Sequence, residues 1–172
     1  MAKFMGVDKA GFQIHPDILG EDDEDTAQLR DMAEKALRYI QGFRWAPPVK
    51  DLYLAWGVGK VIAIFLVKFK RPIPKQPDDE AWVIVGDIPS MYLEVDPELL
   101  PNLETILECY SDFMEDWADT VLSGGDRSRC YPVEAAPTRE NAELLKARVE
   151  FIREALMPAT HETRPAIAGE KG

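Results

Sequence analysis

"KDLYLAWGVGKVIAIFLVKFKR", Lys50 to Arg71, decides the fold. Leu52, Leu54 and Trp56 alternate with Tyr53 and Ala55, which predicts a strand with two distinguishable faces. Gly57-Val58-Gly59 supplies a short loop, and Val61 to Phe69 is rich in β-branched and aromatic residues, so a second strand follows. Strands joined this tightly pair antiparallel, because a parallel partner needs a crossover of a dozen residues or more.

Outward from the hairpin, "RPIPKQPDDE" from Arg71 to Glu80 holds three prolines that cannot continue a ladder, and reads as a loop. It leads into a third strand, Ala81 to Val85, and "IPSMYLEV" after Asp87 offers a short fourth. Before the hairpin, Leu29, Met32, Ala33, Ala36, Leu37 and Ile40 recur at helical spacing, with Asp25 or Thr26 as cap and Gly42 near the end. After the strands, Leu103, Ile106, Leu107, Tyr110, Phe113, Met114, Trp117, Ala118 and Val121 mark a long amphipathic helix closed by Gly124-Gly125. A last helix starts near Thr138, carries Leu145, Val149, Ile152 and Leu156, and stops before Pro158. Strands grouped between helices predict an α+β fold: an antiparallel sheet of three to four strands packed against about three helices. The expected organisation is a weakly ordered acidic segment over 1–24, one domain over 25–158 and a mobile tail over 159–172.

With 172 residues the chain is long enough to bury a core without disulfide or metal support. Cys109 and Cys130 form no Cys-x-x-Cys or Cys/His group, and neither a cofactor nor a metal is expected. A net charge of −11 excludes an ordinary nucleic-acid binder, which must neutralise phosphates with Lys and Arg. No apolar run approaches the ~18 residues of a membrane span, and the N-terminus lacks the apolar block of a secretory signal. A cytoplasmic protein without membrane or nucleic-acid partners is the expectation, either monomer or homodimer.

Two places carry candidate function. The first is the long helix, where Glu104, Glu108, Asp112, Glu115, Asp116 and Asp119 fall on one side at ~100° per residue, with no Lys or Arg between Leu103 and Val121. Like charges four residues apart oppose helix formation, so this face is costly as helix design. It reads either as a docking surface for a basic partner or as the solvated side of an acidic protein. Carboxylates on one helix, with no His and no second converging element, do not specify a metal site. The second place is the Gly86-Asp87 corner. It reads first as a turn, with Gly86 free in backbone geometry, Asp87 bonding its own chain and Pro89 setting the exit. The alternative is a small-molecule or enzyme pocket near Trp82, Asp87 and Tyr92, with Glu94 or Asp79 as a second carboxylate. The two histidines, His15 and His161, lie in the terminal segments, away from any Ser or Cys nucleophile arrangement.

The segment "AWVIVGDIPSMYL", with Trp82, Gly86, Asp87, Pro89 and Tyr92, precedes the helix bearing Trp117. It resembles an uncharacterised family of small bacterial α+β proteins, in which a Trp-bearing strand ends in Gly-Asp-Leu-Pro and a Tyr follows shortly. The resemblance spans about Tyr53 to Leu156, with Ile88 where that family has Leu. It implies the fold and carries no activity. Immunity proteins, which neutralise toxins by occluding their active sites, are small acidic α+β domains of the same general composition. On that analogy the leading expectation is a non-enzymatic module that binds a basic protein, an immunity-type inhibitor being one case.

Overall fold

In the computed structural model, which describes residues 6–163, the hairpin forms between β2 (Val49–Val58) and β3 (Ile62–Phe69). Gly59 makes the tight connection at a φ of +47°. The sheet continues antiparallel through β4 (Glu80–Gly86) and β5 (Ile88–Glu94). A two-residue strand, β1 (Gln13–Ile14), pairs with β2 on the far side, so the meander has five strands in the order β1-β2-β3-β4-β5. The sheet therefore has five strands rather than the expected three to four. Strand β1 is too short to show any alternation in sequence.

Helices cover both faces of this α+β sheet. Helix α1 (Asp23–Gln41) lies on one face and packs Leu29, Met32, Ala36 and Ile40 against Leu52, Leu54, Phe65, Val67, Val83 and Val85. Helices α2 (Leu103–Ser123) and α3 (Arg139–Phe151) lie on the other, where Leu107, Tyr110, Met114, Trp117, Leu145 and Val149 meet Trp56, Ile64, Leu66, Trp82 and Ile84. Two-sided cover explains why β4 is buried along its whole length and β3 at every position but Lys68. Each fully buried Leu, Ile or Phe in these layers contributes roughly 1.5–3 kcal/mol.

Strand β2 serves both layers through a β-bulge. Leu54 pairs with Phe65 and Trp56 with Ile64, leaving Ala55 as the extra residue. Leu54 consequently faces α1, while Ala55 and Trp56 both face α2.

The acidic run before Asp25 starts α1 rather than trailing from it. Asp22 is the N-cap and accepts the Asp25 amide, and Asp23, Glu24 and Asp25 occupy the first turn, where carboxylates complement the helix dipole. The preceding segment is anchored at Glu80, which is fully buried. The Val7 amide donates to its Oε1 at 2.8 Å and the Lys9 ammonium sits 2.6 Å from its Oε2, the pairing that a buried carboxylate requires. At the other end, a π-helical turn (Ile152–Leu156) joins α3 to α4 (Met157–Thr163), so helical structure runs past Pro158 instead of stopping before it. The Met157 amide bonds to Ile152, one residue wider than in an α-helix, just ahead of the proline. The rest of the expected C-terminal tail lies outside the described residues, as does the side chain of His161.

Candidate functional site

The carboxylates of α2 do lie on one exposed side, but α3 and its π-helical turn supply cations to them. The Arg153 guanidinium reaches Asp112 at 2.6 Å, Glu115 at 3.0 Å and Glu108 at 3.7 Å. Lys146 pairs with Asp119. Arg153 and Lys146 thus pair with four of the six carboxylates, Glu108, Asp112, Glu115 and Asp119. The surplus of negative charge persists: the Glu108 carboxyl is pushed up, first by burial and next by Asp112, despite the opposing pull of Arg153. Asp116 is exposed on this side. Beside it Phe113 leaves 37% of its surface open, its ring 5.5 Å from that of Tyr131 between centroids.

The three residues of the expected Gly-Asp pocket do not converge. Trp82 is fully buried on the α2 side, and Tyr92, which pairs with Val83, faces the α1 side. Asp87 stands in the β4–β5 turn, two-thirds exposed, and accepts from the Arg148 guanidinium at 2.8 Å. Glu94 pairs with Ala81 at the opposite end of that hairpin, so Asp87 and Glu94 cannot share a substrate. The corner is held by backbone contacts. The Asp87 amide donates to Val61 at 3.0 Å, Lys35 caps the Gly86 carbonyl at 2.7 Å, and Gly86 has a φ of +153°.

Tyr92 instead belongs to an aromatic band that wraps the β5 edge of the sheet. Its ring lies 4.9 Å from Trp45, 5.0 Å from Phe43 and 6.2 Å from Tyr131. Strand β5 has a neighbour on one side only, and Tyr131, from the loop between α2 and α3, covers the other. The Tyr92 amide donates to the Tyr131 hydroxyl at 3.1 Å, and that hydroxyl donates to the Tyr92 carbonyl at 3.3 Å. Tyr39 of α1 comes within 3.4 Å of the same oxygen. Burial raises the phenols of Tyr39 and Tyr131 above the usual tyrosine range, keeping both neutral.

Beside this band opens a cavity of about 240 Å³, with Trp45 and Tyr92 as walls, Ile73 and Ala81 below, and Gln76 and Glu94 at the rim. The β3–β4 loop shapes it through a turn in which the Gln76 amide bonds to Ile73 at 3.0 Å and Lys75 adopts a φ of +67°. Of its lining, Tyr92 and Glu94 are sequence candidates, grouped there with Asp87 rather than with Trp45. Gln76 and Ile73 belong to a proline-rich loop whose path no periodicity encodes.

Among the described residues no group of three or more His, Cys, Asp or Glu side chains is placed to hold a metal ion, and no helix is long and apolar enough to cross a membrane. His15 pairs with Glu34 at 3.0 Å, and burial pushes the Cys109 thiol up, opposite to an activated nucleophile. No protein-family model matches the chain, and no curated protein or solved structure matches it either.

Proposed function

We propose that this chain is a non-enzymatic module that docks a basic protein through α2 and the aromatic band beside it, as an immunity-type inhibitor would. The observation that carries the reading is the exposed α2 side, where Arg153 alone is shared among Glu108, Asp112 and Glu115, Asp116 is open, and the Phe113 ring is half-exposed at the margin. Surplus negative charge speeds encounter with a basic surface, and a half-exposed aromatic supplies the desolvated anchor that charge alone lacks. The paired carboxylates hold α3 against α2, so Asp116 and Phe113 are the residues to alter without breaking those ion pairs.

The test is affinity capture from the source cells with the wild-type chain and with a Phe113→Ala/Asp116→Lys variant. A basic protein retained at low salt, released near 1 M salt where charges are screened beyond ~3 Å, and lost with the variant is the expected result. Equal capture by the variant removes α2 from the interface.

A further inference from the structure

The cavity between Trp45 and Tyr92 has a chemistry of its own. Its walls are aromatic faces tilted 52° to one another, and its rim offers acceptors. Gln76 donates its side-chain amide to Glu94 Oε1 at 3.1 Å, which leaves the second carboxylate oxygen of Glu94 and the amide oxygen of Gln76 for a visitor that donates. Among the described residues no Lys or Arg lines the cavity.

The surroundings deepen the negative field. Burial, together with Glu94, Asp79, Asp96 and Glu80, pushes the Asp78 carboxyl upward. Lys68 is paired with Asp79 and Lys9 with Glu80, while Lys75, between the lining residues Pro74 and Gln76, is exposed and does not line the cavity. Among the described residues Glu94, Asp78 and Asp96 have no Lys or Arg within ion-pair distance.

A volume of about 240 Å³ lies below the roughly 300–1,000 Å³ of sites for drug-sized ligands, and suits one side chain. We infer that the Trp45–Tyr92–Glu94 cavity receives an arginine side chain of a protein partner. The guanidinium stacks on the aromatic walls and donates to Glu94 and Gln76. Its planar, weakly hydrated head fits this combination, whereas a lysine ammonium is a strongly hydrated point charge. The occupant's being part of a protein rests on the docking reading above. The preference for a guanidinium rests on the cavity alone.

Nitrogen-15 NMR of the Trp45 indole, assigned by comparison with Trp45→Phe, tests this. The probes are N-acetyl-arginine methylamide, its neutral citrulline counterpart and agmatine. The arginine probe is expected to shift the indole resonance saturably, with the citrulline probe about tenfold weaker, and Glu94→Gln should erase that difference. Equal binding of arginine and citrulline probes, or no saturable shift, overturns the inference. Tighter binding of agmatine than of the blocked arginine overturns the assignment to a protein side chain. The Phe113→Ala/Asp116→Lys variant should leave arginine-probe affinity unchanged while losing partner capture, so failure of the cavity and failure of the α2 interface are read separately.

Discussion

Two backbone positions illustrate how single residues hold the site's frame. A Cβ on Gly86 would lie 2.2 Å from the Val61 carbonyl oxygen and 2.8 Å from the Ile62 Cα, both backbone atoms that cannot swing aside. Gly86→Ala is therefore expected to destabilise the protein by about 3–5 kcal/mol, read as a lower urea midpoint at unchanged m-value. A loss below 1 kcal/mol would show that the β4–β5 corner relaxes. Lys75 presents the opposite case. Pro74 locks the first central position of the Ile73–Gln76 turn, and the second, at a φ of +67°, is a place that glycine fills without strain. Lys75→Gly is expected to stabilise by about 0.5–1 kcal/mol in the same assay. The Gly-Asp corner was legible in sequence because turn chemistry is local. The Lys75 turn was not, because a positively disposed φ at lysine has no compositional signature.

At the scale of elements, the edge of β5 depends on one hydroxyl. Tyr131→Phe keeps the ring packing and removes both bonds to the Tyr92 backbone, so a loss of about 1–2 kcal/mol is expected, with faster amide exchange at Tyr92 than elsewhere in β5. Exchange unchanged at Tyr92 would show that Tyr131 does not guard the edge. Such an edge, once bare, also offers a template for unwanted pairing. The helices and central strands were readable from spacing alone, and the acidic side of α2 was placed correctly by its 3.6-residue period. Its partial pairing was not, since Arg153 lies 41 residues beyond Asp112 and no local pattern couples them. Likewise Trp82, Asp87 and Tyr92 are close in sequence, yet the β4–β5 register sets Trp82 opposite Leu93 and sends Tyr92 to the other face.

For the whole molecule, charge sets how stability follows pH and salt. Asp78 and Glu108 both have carboxyls raised by burial and by neighbouring carboxylates, so the folded state holds their protons more tightly than the unfolded chain does. Stability attributable to them is present at low pH and falls as pH rises from the ordinary carboxylate range through their raised values. Asp78→Asn is expected to flatten the Asp78 part of that decline, measured by urea unfolding at several pH values between about 4 and 7. An unchanged slope would deny the crowding around Asp78. With a net charge of −11, added salt should raise the midpoint at neutral pH. The two-sided burial of the sheet also had a sequence trace that alternation-based reading passes over: the unbroken apolar stretches in β3 and β4, which one solvated face would have interrupted. The bulge in β2 bears on how chains of this fold can differ in length. Because Ala55 is the surplus residue between Leu54 and Trp56, excising it would leave every other β2 side chain pointing where it points now. Dropping Leu54 would instead seat Ala55 opposite Phe65, replacing a leucine of the α1 layer by an alanine. Gaps within β2 are thus cheapest at Ala55, and at Lys50 where the register shifts again between Val49 and Asp51, because there no layer residue is lost.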